Sequence, residues 1–279
     1  MKTLIFGKGM LGRRIADYLP GSVLSSEDIT DPIAITWEIM RHQPDAVINA
    51  AGKTGRPNVD WCEEHREETY RSNVVGPLAL AEVCAHKNLY LLHMGSGCIF
   101  YGRSPDPVGW REEDYANPVS FYARTKYSAD LILSKLPNIS IVRIRMPIDS
   151  LPGSRNLIDK LVQYKKIVSA DNSVTVVEDL LKVIEGVVSQ RATGIFHATN
   201  PGVMRHENLL GLYKQYVDPS HTCEFTTPED LLREGLITKE RSNCILSSRR
   251  LEELGLGMRH ISVALPDVVK KYAAVVIGT

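Results

Sequence analysis

Short apolar runs alternate along the chain with longer segments in which apolar positions recur every three or four residues. Thr3–Phe6 is the first run and reads as a strand. Leu11–Leu19 has helical spacing and stops at Pro20-Gly21. Val23-Leu24 is a weak second strand, and Ile33–Arg41 is a helix that ends before Pro44. Ala46-Val47-Ile48-Asn49-Ala50-Ala51 is apolar toward both faces, as a strand buried in a parallel sheet must be. Thr69–His86 reads as one long helix, with Asn73 inside it and an irregularity at Gly76-Pro77. Tyr90–Met94 is the next strand, Tyr122–Leu136 a helix, and Ile139–Arg145 a strand after Pro137.

This rhythm predicts an α/β fold with a Rossmann-type doubly wound parallel sheet over residues 1–148. After Pro147 the alternation loosens. Asn156–Tyr164 and Val177–Ser189 read as helices, and Asn208–Tyr216 and Pro228–Arg233 as shorter ones in a turn-rich region. Residues 149–279 are expected to form a smaller C-terminal substrate lobe, partly interleaved with the sheet. A length of 279 residues suits that arrangement.

Composition removes several classes of function. The 33 basic and 33 acidic residues cancel, so no long-range field draws the chain to nucleic acid or to an anionic membrane. No apolar run approaches the ~20 residues of a membrane span. The N-terminal apolar run ends at a glycine turn and reads as a strand, not a secretory signal. Cys62, Cys84, Cys98, Cys223 and Cys244 are odd in number and widely spaced, with no CxxC pair or Cys/His cluster. That argues against a metal site and for reduced thiols in the cytoplasm.

Two motifs then carry chemistry. Gly7, Gly9 and Gly12 have GxGxxG spacing between a strand and a helix. The first glycine permits a tight turn, the second lets backbone approach a pyrophosphate, and the third packs helix on strand. The helix N-terminus favours the phosphate charge. After the second strand come Ser25-Ser26 in place of a carboxylate, with Lys8, Arg13 and Arg14 near the turn. That favours a 2′-phosphate, hence NADPH; Glu27 or Asp28 would serve NADH if the strand ran longer. Ala50-Ala51-Gly52 offers small residues against which a nucleotide can lie, or simple close packing.

Tyr122 and Lys126 share a helix face at four-residue spacing. A lysine ammonium beside a phenol favours the phenolate and brings the tyrosine into use near neutral pH. Ser96 follows a strand at the sheet edge where ligands bind, and can hydrogen-bond a carbonyl. A Ser/Tyr/Lys set downstream of a dinucleotide turn points to ketone reduction. Asn73 is either a helix-bending polar residue or a relay element.

The chain resembles the extended short-chain dehydrogenase/reductases over its whole length. Asp28-Ile29-Thr30-Asp31, Pro44–Ala51 and Glu112-Glu113-Asp114 are similar to the dTDP-4-dehydrorhamnose reductase group. Ala51–Cys62, Gly97-Cys98-Ile99-Phe100, Arg143–Ile148 and Thr199-Asn200-Pro201-Gly202-Val203 resemble the nucleotide-rhamnose synthase/epimerase-reductase family of plants and some large viruses. The resemblance implies conversion of UDP-4-keto-6-deoxyglucose to UDP-β-L-rhamnose, by epimerisation at C3 and C5 and NADPH reduction at C4. It implies cofactor contacts at Gly7, Gly9, Met10, Leu11, Gly12, Asp31, Ala50, Ala51, Gly52, Asn73, Tyr122 and Lys126. Arg56, Asn58 and Asp60 would be sugar-side contacts, and Arg155, Asn156 and Arg241 further substrate contacts. Arginine forks suit a diphosphate, or a surface salt bridge.

Reductase-only relatives carry Asp-Tyr where this chain has Gly97-Cys98. Protons at C3 and C5 are acidified by the C4 ketone, so a base on one face and an acid on the other are needed. Cys98 beside Ser96 is placed to be the base. The resemblance gives the acid role to Lys160, in Arg155-Asn156-Leu157-Ile158-Asp159-Lys160. Read singly, Cys98 is a small core residue and Lys160 a solvated helix residue. The substrate, a UDP- or dTDP-linked 4-keto-6-deoxyhexose, would come from a separate 4,6-dehydratase; a homodimer is the family pattern. A reductase with a structural Cys98, an epimerase/reductase on another sugar, and a non-catalytic dinucleotide-binding regulatory subunit remain as alternatives.

Overall fold

The computed structural model describes residues 1–56, 58–237 and 242–278. In chain order the elements begin β1 (Thr3–Phe6), α1 (Met10–Tyr18), β2 (Val23–Ser25), α2 (Pro32–His42) and β3 (Ala46–Asn49). Then follow α3 (Trp61–Glu64), α4 (Arg66–Tyr70), a π turn (Arg71–Val75), α5 (Gly76–His86), β4 (Tyr90–Ser96), α6 (Phe121–Leu133) and β5 (Ile139–Ile144). The remainder comprises β6 (Pro147–Ile148), α7 (Leu157–Leu161), β7 (Lys166–Val168), β8 (Thr175–Val176), α8 (Val177–Ser189) and β9 (Gly194–His197). It closes with α9 (His206–Tyr216), β10 (Glu224–Thr226), α10 (Pro228–Arg233), α11 (Arg249–Glu253) and α12 (Ile261–Ile277).

The chain divides into two compact units, each assembled from separate stretches. One contains residues 1–99, 115–143 and 181–196; the other contains 100–114, 144–180 and 197–279. Residues 181–196, the latter part of α8 and most of β9, rejoin the first unit after the second stretch of the second unit.

The first unit is built on a sheet of strand order β2-β1-β3-β4-β5-β9. The β1–β2, β1–β3 and β3–β4 pairs are parallel. All residues of β1, β3 and β4 are buried, as a sheet covered on both faces requires. Leu4, Phe6, Val47, Leu91 and Ile141 join Ile35, Leu80, Ala129 and Leu133 of the flanking helices in one core. The strand order reverses between β1 and β3, and ligands bind beyond the carboxyl ends of strands at such a point.

The long helix expected over Thr69–His86 is present but is not regular. Residues 66–86 form α4, the π turn and α5 in succession. The π turn lies immediately before the Gly76-Pro77 irregularity and contains Asn73. At Gly76 a Cβ would stand 2.6 Å from Ile29 Cγ1, so this helix packs too closely on the Ile29 loop to admit a side chain there.

In the second unit, α12 packs on α9 and β8 around Ile158, Val176, Leu209, Ala264 and Val268. Two small parallel pairs, β6–β8 and β7–β10, complete it. Asp179 accepts from Arg259 Nε at 2.8 Å and from Asn200 Nδ2 at 2.8 Å, tying three stretches of chain together. Among the described residues, no helix is long and apolar enough to cross a membrane.

Candidate active site

The glycine turn after β1 shows a different constraint at each glycine. Gly7 has φ +106°, and a Cβ there would lie 2.4 Å from Ala51 N. Gly12 presses on the turn, with its Cβ position 1.8 Å from Gly7 O. Gly9 has no protein atom within 4 Å of its Cβ position. The protein therefore demands glycine at 7 and 12, whereas Gly9 leaves open space. Gly9 caps α1 without a side-chain hydrogen bond, and no acidic residue occupies the first turn. The N–H groups at Met10 and Leu11 belong to a helix start suited to an anion.

β2 ends at Ser25, so Ser26 stands where a carboxylate would read a ribose 2′-hydroxyl. Ser25 Oγ accepts from Glu27 N at 3.1 Å, and Asp28 Oδ1 from Thr30 N at 2.8 Å, which commits Ser25 and Asp28 to the turn. Asp31 caps α2, accepting from Ile33 N at 2.9 Å and Ala34 N at 3.2 Å. Ala50, Ala51 and Gly52 follow β3. The Asn73 side chain accepts from Lys53 N at 2.8 Å and donates to Lys53 O at 2.9 Å and Thr125 Oγ1 at 3.2 Å. The π turn thus places a buried amide that holds the loop after β3 to helix α6.

Ser96 ends β4, and the Tyr122 hydroxyl is hydrogen-bonded to it. Cys98 N donates to Ser96 Oγ at 3.2 Å, and Cys98 itself is half-buried. Burial first, then the Cys98 thiolate, pushes the Tyr122 phenol above its ordinary range, while the Ser96 hydrogen bond pulls it down. This reverses the expectation that Lys126 brings the phenol toward neutral pH. Both side chains are deeply buried, and desolvation is the largest cause of each shift. Tyr122 is held as a phenol, a proton donor. Lys126 itself is drawn down to about 8, chiefly by burial, with Asp130 opposing.

Lys126 Nζ lies 3.0 Å from His93 Nε2 and donates to Met94 O at 2.8 Å. His93 is fully buried, and the sequence reading passed over it. A lone histidine in an apolar strand looks like packing, and its partner lies 33 residues on, beyond any local pattern. Behind Lys126, Asp130 accepts from Arg143 Nε at 2.8 Å in a fully buried ion pair.

The remaining predicted residues fall in two places. Arg56, Asn58 and Asp60 lie in the loop before α3, with Arg56 exposed and the other two half-buried. Asn58 Oδ1 accepts from Asp60 N at 2.8 Å, and Glu63 of α3 accepts from Phe121 N at 2.7 Å, anchoring the start of α6. Arg155, Asn156 and Lys160 belong to the second unit. Asn156 is fully buried; it donates to Asp149 O at 2.8 Å and Leu151 O at 3.0 Å and caps α7. It fixes the segment that carries the half-buried Arg155 and Lys160. Arg241 lies outside the described residues. The second unit also contains a cavity of about 780 Å³ lined by Tyr101, Arg103, Asp171, Arg205 and Asn243 among others. No group of side chains among the described residues is arranged to hold a metal ion.

Comparison with known proteins shows the family of the chain. The RmlD substrate binding domain family matches residues 1–273. The chain is 39% identical to the bifunctional dTDP-4-dehydrorhamnose 3,5-epimerase/dTDP-4-dehydrorhamnose reductase of Arabidopsis thaliana, over 89% of this chain and 86% of that one. It is 37% identical to a trifunctional UDP-glucose 4,6-dehydratase/UDP-4-keto-6-deoxy-D-glucose 3,5-epimerase/UDP-4-keto-L-rhamnose-reductase of the same plant, over 91% of this chain but 39% of that enzyme. The crystal structure of the UDP-rhamnose synthase of Acanthamoeba polyphaga mimivirus superposes with a TM-score of 0.90 at 31% identity, covering 97% of this chain and 99% of that one.

Proposed function

The chain belongs to the RmlD substrate binding domain family, and on that premise we infer that it is a bifunctional 3,5-epimerase/4-reductase. It converts a UDP-linked 4-keto-6-deoxyglucose to the L-rhamnose nucleotide, using NADPH. The observation that carries this reading is the chain of contacts from Cys98 N through Ser96 Oγ to the Tyr122 hydroxyl. A carbonyl-binding hydroxyl, a proton donor and a thiol lie on one small patch.

The residues fit the cofactor. Open space at Gly9 and the N–H groups of Met10 and Leu11 suit a pyrophosphate, and Ser26, with Arg13 and Arg14 in the helix after the glycine turn, suits a 2′-phosphate. NADPH, when bound, supplies the hydride that reduces the C4 carbonyl carbon. Ser96 and Tyr122 hold the C4 oxygen, and Tyr122, kept protonated by its burial, gives that oxygen its proton. Before reduction, the Cys98 thiolate removes the C3 and C5 protons, each acidified by the adjacent ketone. Lys160 is the acid that returns the protons. The substrate must come from a 4,6-dehydratase reaction, and the reduced thiols suit a cytoplasmic setting.

The test is turnover of UDP-4-keto-6-deoxyglucose with NADPH in D₂O, read by mass spectrometry and NMR. UDP-L-rhamnose with deuterium at C3 and C5 is expected. Cys98→Ser should abolish that exchange while still reducing an already epimerised ketone. Tyr122→Phe should lose reduction by about 10²–10⁴-fold and keep the exchange. A D-configured product without deuterium would instead mark a plain 4-reductase with Cys98 in packing. Absent turnover with capture of a catalytic partner would mark a regulatory subunit.

A further inference from the structure

Tyr122 is only the second residue of α6, inside the turn that a helix holds least firmly. The first N–H groups of a helix have no carbonyl partner within it, so whatever satisfies them decides where that turn stands. Ser120 Oγ is the local cap and accepts from Ala123 N at 3.2 Å. Phe121 N is satisfied from elsewhere. It donates to Glu63 Oε1 at 2.7 Å, a charge-assisted bond to a helix 58 residues earlier in the chain. Glu63 is itself held: its N–H donates to Asp60 O at 2.9 Å, and Asp60 N donates to Asn58 Oδ1 at 2.8 Å. Arg66 Nε donates to Glu63 O at 3.1 Å, and its guanidinium lies 5.5 Å from the centroid of the Phe121 ring. Phe121 is thus gripped twice, at its backbone by Glu63 and at its ring by Arg66. The Glu63 side chain is 17% exposed, which shields most of its bond to Phe121 N from competing water.

We propose that Glu63 is a positioning residue for the reduction: with Arg66 it grips the first residue of α6, and the grip sets the Tyr122 hydroxyl against Ser96. The kinetic consequence rests on the reductase reading, whereas the clamp itself does not. A proton donor misplaced by about 1 Å loses much of its effect, and Tyr122 has one residue between it and the end of its helix. Cys98 is placed differently. It follows β4, and its N–H is held by Ser96 Oγ at 3.2 Å, so its position depends on the sheet and not on the start of α6. Removing the clamp should therefore separate proton donation by Tyr122 from proton removal by Cys98. The helix that carries Glu63 also closes the loop of Arg56, Asn58 and Asp60. Glu63 in this way ties the expected sugar contacts to the proton donor.

The experiment measures both half-reactions in the same variants. In Glu63→Ala, reduction of an already epimerised 4-ketone by NADPH should lose about 10–100-fold in kcat, with KM within about threefold of the parent. Deuterium entry at C3 and C5 should stay within about threefold of the parent. Glu63→Gln keeps an amide oxygen for Phe121 N and should recover most of the lost kcat. Phe121→Pro removes the same bond from the donor side, and with it the ring beside Arg66. Proline suits the first position of a helix, and Ser120 before it is already extended, at φ −79° and ψ 155°. Phe121→Pro should repeat the Glu63→Ala pattern, and it serves if Glu63→Ala does not fold. Independently of turnover, the Phe121 amide in Glu63→Ala should exchange its hydrogen at least about tenfold faster than in the parent. Unchanged kcat in folded Glu63→Ala and Phe121→Pro would overturn the proposal. So would an equal fall in reduction and deuterium entry, which marks a general loosening, or a Glu63→Gln as impaired as Glu63→Ala. Faster exchange of the Phe121 amide, when the parent turns over no keto-sugar, would sink the reductase reading and leave the clamp standing.

Discussion

At the residue scale, burial decides the character of the candidate site. Tyr122, Lys126, His93, Asp130 and Arg143 are all less than a tenth exposed. Desolvation sets the direction of the Tyr122 and Lys126 shifts, and charge neighbours only modify it. The Asp130–Arg143 pair is the stabilising counterpart. Arg143→Leu leaves a buried carboxylate beside Lys126 without its main partner. It should cost about 3–5 kcal/mol of stability, read as a lowered denaturation midpoint at pH 7, and an unchanged midpoint would mean that Asp130 is protonated in the fold. The sequence exposed the Tyr122–Lys126 spacing because both residues share a helix. It hid His93 as a neighbour of Lys126 and the pairing of Arg143 with Asp130, because those strands meet the helix only after folding.

At the scale of elements, the glycine turn separates folding from binding. Gly12→Ala would drive a methyl into Gly7 O and should destabilise the protein by several kcal/mol, on the order of a severe overpacking, with loss of soluble yield. Gly9→Ala meets no protein atom, and φ at Gly9 is −72°. It should melt as the parent does but bind NADPH at least about tenfold more weakly, because the added methyl occupies the space that backbone leaves for a pyrophosphate. Equal NADPH affinity, measured by fluorescence titration, would move the pyrophosphate away from this turn. Many elements were legible: β1, α8 and α10 fall on the expected residues, and α1, α2 and β5 shift by a residue or two. α12 was not. Pro266 interrupts it, and Val263, Val268, Val269, Val275 and Val276 carry strand-like β-branched chemistry. Packing of its apolar side on α9 and β8 outweighs both local signals. The π turn was equally hidden, since an extra residue in a helical turn leaves no compositional mark.

At the scale of the whole molecule, the two units are interleaved in sequence. The loosening of rhythm after Pro147 and an interleaving with the sheet were legible, but not which residues, 181–196, rejoin the first unit. Four-residue β9, Gly-Ile-Phe-His, is too short to announce itself. A fragment ending at residue 148 should therefore be poorly soluble and run as large species in size-exclusion chromatography. A monomeric, cooperatively melting fragment would show that β9 and the latter part of α8 are dispensable. For a chain made from its N-terminus, the same interleaving sets a schedule. While residues 144–180, the second stretch of the second unit, are being synthesised, β5 stays an open edge able to recruit a strand from another nascent chain. The order of translation, rather than the final stability of the sheet, then becomes the point at which yield is won or lost. Slowed synthesis just before residue 181 would lengthen that exposure, and a chaperone that covers β5 would shorten it.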